Sequence, residues 1–202
     1  MKTGEIGIVR SALRPEIGMM WPVFLGRCAL DAKRAFKKSR WAALDAEEAE
    51  LAKRLSVLAP AYQKLMQRFG QEKAFSIMEQ MIALTGRNEM WDHLDSMVFT
   101  STSAMERLQD FSEAYSTYGA DRFMEKEILQ QDTGTYSFII TDCAIWDFFN
   151  EAGVPELTRP FCESDRLFYP QAFPEVAFSR GDSWENTIAY GRDHCENRFE
   201  TM

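Results

Sequence analysis

Leu51, Leu55, Leu58, Tyr62, Leu65 and Phe69 recur at spacings of three and four, the period of an amphipathic helix. Asp45 and Glu48 have the form of a capping box at its start, Pro60 predicts a kink, and Gly70 suits the position just past its end. A second helix is predicted from Gln71 to Leu84, with Ala74, Phe75, Met78, Met81 and Ile82 on one face and Gly86 as its stop. A third runs from Ser103 to Tyr118, striped by Met105, Leu108, Phe111 and Tyr115 and stopped by Gly119. Upstream, Arg27 to Arg40 reads as one more helix. The Met and aromatic stripes have core spacing and are assigned no function.

The period then changes. Glu127 to Gln130 leads into the turn-forming Asp132-Thr133-Gly134, and Thr135 to Thr141 alternates with β-branched and aromatic residues, which predicts a hairpin. Ala144 to Ala152 reads as a short helix ended by Gly153, with Val154-Pro155 as an extended exit. A helical turn is expected beyond Asp165 and before Pro170 and Pro174. Val176 to Ser179, Thr187 to Tyr190 and Cys195 to Phe199 read as strands, with Gly191 at a bend. Helices first and strands last give an α+β fold, N-terminal helices packed on a C-terminal antiparallel β-sheet with short inserted helices. We expect one domain over 1–202: a basic arm at 1–41, a helical half at 42–120 and a sheet half at 121–202 that carries the site.

Charge sharpens this division. Of the 23 Lys/Arg and 31 Asp/Glu, nine and three fall in residues 1–41, so the arm carries +6 and the remainder −14. An acidic body repels phosphate backbones, which argues against nucleic acid as a ligand. The arm is expected to lie on its own acidic body or on that of a second copy, as a homo-oligomer contact. The apolar run Ile17 to Leu25 is broken by Pro22 and has no small-residue cleavage site after it, whereas a spanning helix needs about 20 apolar residues. The expectation is therefore a cytoplasmic protein without membrane contact, its four cysteines serving as free thiols, ligands or nucleophiles rather than in disulfides.

Three of those cysteines, Cys143, Cys162 and Cys195, lie in one sheet-and-loop region with Asp165 and His194. Cys143 ends a predicted strand, where scaffolds present reactive groups. Cys162 and Asp165 have C-x-x-D spacing, so on one helical turn the thiol and the carboxylate share a face. An acid beside a thiol raises its pKa, which casts Asp165 as a proton carrier, a substrate anchor or a metal ligand. On a strand His194 would point away from Cys195, while Asp193 would lie on the thiol's side. His93 reads as a hydrogen-bonded structural residue and Cys28 as a buried apolar one. Zinc-finger spacing, HExxH, Walker, GxGxxG and GxSxG motifs do not occur.

In order, Cys143 to Leu157 (a Cys, a short helix and Gly-x-Pro-Glu-Leu), Phe161-Cys162-x-x-Asp165, and Thr187-Ile188 leading to Gly191, Cys195 and Arg198-Phe199 resemble the L-2-amino-thiazoline-4-carboxylic acid hydrolase family. With LAPAYQKLMQRFGQEKAF upstream, the resemblance covers roughly residues 45–200. It implies hydrolytic opening of a small cyclic isothiourea to a carbamoyl-cysteine product, without a required cofactor. In that chemistry Cys143 or Cys195 is the nucleophile, Cys162 is the third candidate, and Asp165 holds the amidinium and carries the proton. Trp146, Asp193 and His194 are candidates to line the substrate pocket. Trp146 and the segment 180–186 depart from the family pattern, the first by its size and the second by its length.

Other readings use the same residues. Cys143, Cys162, Asp165 and Cys195 together supply three thiolates and a carboxylate, a tetrahedral set for zinc, although no tight Cys-x-x-Cys pair is present. Two thiols with the C-x-x-D carboxylate resemble organomercurial lyases in spacing and chemistry alone. The closing Gly-x-x-x-Cys-x-x-x-Phe is distantly similar to the vinyl-reductase-type small-molecule-binding domains.

Overall fold

The helical half begins earlier than its pattern suggests. In a computed structural model, which describes residues 4–43, 46–118 and 121–202 without the side chain of Glu48, α1 spans Glu5–Ile17 and α2 spans Trp21–Phe36. The helix expected from Arg27 starts at Trp21 because Pro22 falls in its first turn, where a missing N–H breaks no helical bond. The buried positions of α1, namely Ile8, Ala12, Leu13 and Ile17, stand among Gly, Arg and Pro, which hides its period.

The single kinked helix expected across Pro60 is two helices, α3 (Ala46–Leu55) and α4 (Leu58–Phe69). A proline ring clashes with the carbonyl four residues back, here that of Ser56, so the chain breaks at 56–57 and Pro60 sits in the first turn of α4. Gly70 ends α4 with φ +82°, as expected. The Asp45 and Glu48 capping box and the Gly119 stop lie outside the described residues.

Gly86 does not stop the second helix: α5 runs unbroken over Gln71–Ser96. The glycine is there because α8 (Arg159–Ala172) crosses it, and a Cβ on Gly86 would stand 2.3 Å from Ser164 Oγ. Close packing outweighs the helix cost of glycine, about 1 kcal/mol. Gly86→Ala is accordingly expected to lower stability by about 1–3 kcal/mol in urea titrations, with Ser164→Gly in the same chain recovering most of it. An unchanged midpoint for Gly86→Ala would show that the two helices do not meet there.

Next comes α6 (Ala104–Tyr115), whose cap Ser103 accepts a hydrogen bond from the amide of Glu106. The hairpin follows as β1 (Met124–Gln131) and β2 (Thr135–Cys143), its turn held by Asp132 Oδ1, which accepts from the amides of Gly134 at 2.8 Å and Thr135 at 2.7 Å. Helices α7 (Ala144–Glu151) and α8 precede β3 (Val176–Ser179), and β4 (Cys195–Thr201) closes an antiparallel sheet of order β1-β2-β4-β3. The chain is thus α+β. Two local expectations differ. The turn expected beyond Asp165 is the 14-residue α8, with Asp165 near its middle. The strand expected at 187–190 is a 3-10 turn over Ile188–Tyr190, because its backbone crosses the start of β4: Ile188 N–H donates to Cys195 Sγ and Glu196 N–H to the Asn186 carbonyl.

Two apolar clusters result. One joins the first helices, α4, the first half of α5 and α7, and includes Leu13, Cys28, Tyr62, Phe149, Cys143 and Cys195. The other joins the end of α5, α6, the end of α8 and the sheet through Phe111, Tyr136, Phe168, Tyr169 and Phe199. The basic arm is therefore part of the core, and Lys64–Asp31 (2.9 Å) and Lys73–Glu16 (2.6 Å) tie it to α4 and α5. Cys28, fully buried, is a core residue with its thiol pushed up to about 11 by burial. Among the described residues no helix is long and apolar enough to cross a membrane.

Candidate functional site

At the seam between the two clusters, α8 presents Cys162, Asp165 and Tyr169, with Thr158 at the residue just before its start. Spacings of four, three and four place them on one face of the helix and its first turn. The C-x-x-D spacing therefore does put thiol and carboxylate together. Cys162 is half-buried as a residue and the Asp165 side chain is 26 % exposed, yet burial dominates the surroundings of both the thiol and the carboxyl.

Opposite this face lie β4 and the end of β3. Cys195, Asn197 and Phe199 alternate inward along β4, and Phe178 pairs with Phe199. The register pairs Ser179 with Arg198, and one step further brings Arg180 level with Asn197 on the inward side. Arg180 is 4 % exposed, and its Nη2 donates to Asp165 Oδ2 at 2.6 Å. Its guanidinium lies 4.9 Å from the centre of the Trp184 ring and 5.7 Å from that of Phe178. Between Asn186 and Ile188, both hydrogen-bonded to the start of β4, Thr187 turns its buried hydroxyl toward Cys162.

Burial dominates the titrations. It lifts Asp165 to about 6 against the Arg180 charge that pulls it down, with Glu163 adding a little to the rise. Asp165 holds Arg180 charged in spite of burial, so the pair is ionised at pH 7 and above. Cys162 is pushed up to about 12, Arg180 opposing. Cys143 is also pushed to about 12. Cys195 rises by burial, eased by the Ile188 amide and by Arg180. At pH 7 all three sulfurs are therefore thiols, and a thiolate forms only if a neighbour takes the proton.

The remaining candidates are placed differently. Cys143 caps α7, where the amides of Trp146 and Ile145 favour its thiolate without closing a capping hydrogen bond, and it is buried with Cys195 in the first cluster. Trp146 packs partly buried on that cluster. Asp193 and His194 are both exposed in the turn before β4. The strand alternation expected to sort them begins only at Cys195, so it orients neither, and no contact among the described residues links them to Cys162 or Asp165. His93 stacks on Tyr118 at 4.7 Å, its charge disfavoured by burial, as a structural residue. Among the described residues no group of three or more His, Cys, Asp or Glu is placed to hold a metal ion, and Asp165 already faces the Arg180 cation.

The sequence assigns no site role to Arg180, Asn197 or Thr187, although Thr187 stands in the motif that carries the family resemblance, and 180–186 reads as an enlarged turn. A signal was available in the parity of β3: Phe178 and Arg180 fall on one side, and a carboxylate on an inward helix face requires a cation.

A family model described as L-2-amino-thiazoline-4-carboxylic acid hydrolase matches residues 49–199. Neither the curated proteins nor the solved structures contain a significant match. The matched span takes in Cys143, Cys162, Asp165, Arg180 and Cys195, and leaves α1 and α2 outside.

Proposed function

The chain belongs to the L-2-amino-thiazoline-4-carboxylic acid hydrolase family, and from that premise we propose that it opens a small cyclic isothiourea, such as 2-amino-thiazoline-4-carboxylate, with Cys162 as nucleophile and Asp165 as proton carrier. The observation that carries this reading is the α8 face on which Cys162 and Asp165 stand together, with Arg180 paired to the carboxylate. It moves the first choice from Cys143 or Cys195 to Cys162, because Cys162 has a carboxylate one helical turn away that can take its proton.

The Cys162 sulfur bonds to ring C2 of the amidinium, and the thiol proton passes to Asp165. The bond from C2 to the ring sulfur breaks, and that sulfur takes the proton back from Asp165. The opened chain then hangs from Cys162 as an S-linked amidinium. Water adds to C2 through oxygen and gives one proton to Asp165. The bond from C2 to Cys162 breaks, the enzyme sulfur recovers that proton, and the hydroxyl proton leaves to solvent as the carbamoyl C=O forms. A bound amidinium also lowers the cost of a thiolate beside it, which offsets the burial that holds Cys162 protonated.

The raised thiols favour a second reading, in which Asp165 directs water at C2 and no covalent adduct forms. Intact-mass measurement during single turnover separates the two, since a mass increase on Cys162 is expected only for the first.

Assays of thiol release from 2-amino-thiazoline-4-carboxylate test the function. We expect kcat/KM to climb as pH rises through about 6, where Asp165 loses its proton, and then to level off. Asp165→Asn should abolish that limb. Absence of turnover by the wild-type protein across the pH range would sink the hydrolase reading.

A further inference from the structure

The contacts that fasten the first two helices to the body leave their outer side positive. Glu16 and Asp31, two of the three acids before residue 42, turn inward to Lys73 on α5 and Lys64 on α4. Among the described residues the only ion-paired cation of α1 and α2 is Arg34, held within its own helix by Asp31 at 3.7 Å. Val23, Arg27, Leu30 and Arg34 on α2 and Lys37 at its end recur at spacings of four and three, which places them in one stripe opposite the buried Cys28 and Ala32. All five are exposed, Leu30 by 58 %. Just ahead of the stripe, the 3-10 turn Gly18–Met20 adds Met20 and Met19, the latter 75 % exposed. Exposed apolar side chains scattered singly are ordinary, but a row of them among unpaired cations marks a docking face, where apolar contact gives affinity and charge chooses the partner.

A surface of opposite charge is present on the same chain. The sheet buries Tyr136, Phe138 and Phe199 against α6 and the end of α8. On its other face the register lines up Glu127, Ile139 and Glu196 across β1, β2 and β4, and pairs Glu125 with Asp142. Glu125, Glu127, Asp142, Arg198 and Glu200 are exposed, so this face is open. Asp182, Glu196, Arg198 and Glu200 surround a shallow concavity at one end of it. Arg198 is tied to Glu200 at 2.8 Å and offsets that acid alone. The half-buried Ile139 gives the face an apolar centre.

We propose that the outer face of α1 and α2 docks on the outer face of the sheet in a second copy of this chain. A basic and apolar helix face also suits an anionic lipid surface. The charge of the remainder decides between them: residues 42–202 carry −14 against +6 for residues 1–41, so the body is repelled by lipid phosphates and attracted by the arm of another copy. Since α1 and α2 precede the matched span 49–199, the contact is a property of this chain beyond the family match, and it does not depend on the hydrolase reading.

Sedimentation velocity of the full chain tests the contact. At about 50 mM salt the mass is expected to exceed that of a monomer, and at about 500 mM salt to return to it. Arg27→Glu with Lys37→Glu, and separately Glu127→Lys with Glu196→Lys, should each weaken association by about 10-fold or more. An equal mixture of the two variants should restore it, because altered then meets altered and unaltered meets unaltered, each with opposite sign. Restoration also shows that both variants are folded. Leu30→Ser, which changes no charge, should weaken association as well. A wild-type protein that is monomeric at low salt, or association unchanged by salt and by both reversals, would overturn the proposal. Association that survives Glu127→Lys with Glu196→Lys would place the arm on another arm instead. A monomer that co-sediments with phosphatidylglycerol vesicles would put a membrane surface in the place of the second copy.

Discussion

Cys162→Ala is expected to lower kcat on 2-amino-thiazoline-4-carboxylate by about 10³-fold or more, with little change in substrate binding. The reason is geometric. Of the three cysteines, Cys162 is the one with a carboxylate one helical turn away, Asp165, which is itself paired with Arg180. Cys195 accepts the Ile188 amide at 3.3 Å and supports the loop that carries Thr187. Its replacement by Ala should therefore reduce activity by loosening that loop, with a fall in melting temperature. Cys143→Ala, at the head of α7, should act in the same way. His194→Ala, at an exposed position before β4, should leave most of the activity. Steady-state rates and melting curves on the same preparations separate the two kinds of loss. Full activity in Cys162→Ala would remove that thiol from the mechanism and leave Asp165 and water to account for the reaction.

Arg180→Met should cost about 3–5 kcal/mol of stability at pH 8, because it strands a carboxylate inside the seam. The deficit should shrink toward pH 5. Asp165 titrates at about 6 in the folded chain against 3.8 for the unperturbed group. Below the lower value it is protonated in both states and adds no pH dependence. Between the two the folded state holds the extra proton, so rising pH lowers stability. Above about 6 that loss is complete in the wild-type protein. Without Arg180 the carboxyl loses the charge that pulled it down, so its folded titration moves higher and the loss extends into the neutral range. Urea midpoints at pH 5 and pH 8 measure the difference, and Arg180→Met with Asp165→Leu should recover much of it. A deficit independent of pH would show that Arg180 acts through packing on Phe178 and Trp184 rather than through charge.

The sequence was informative where local spacing carries the signal. The stripe from Leu51 to Phe69, the Asp132-Thr133-Gly134 turn and the alternation of β2 produced helices and a hairpin close to where they stand. The C-x-x-D spacing placed Cys162 and Asp165 on one helix face. Local reasoning failed where another segment decides the outcome. Gly86 reads as a stop, yet it is a crossing point, since only the approach of Ser164 makes a side chain there intolerable. Thr187 to Tyr190 has strand composition, but the Ile188 amide is drawn to Cys195 at the start of β4 and the amides of Thr187 and Tyr190 close local turns.

By itself, then, the sequence determined the α+β order of elements, the gathering of three cysteines and Asp165 in the second half, and a resemblance that the family match over residues 49–199 bears out. Only the tertiary structure decided which of these groups meet. Whether Arg180 meets Asp165 depends on the pairing of β3 with β4 and on where α8 lies across the sheet, and no residue's nearest neighbours in the chain encode either. For the same reason Cys162 stands beside the Asp165–Arg180 pair while Cys143 and Cys195 belong to the first apolar cluster: surroundings are set by the packed surfaces, and the three thiols are alike until those surfaces form.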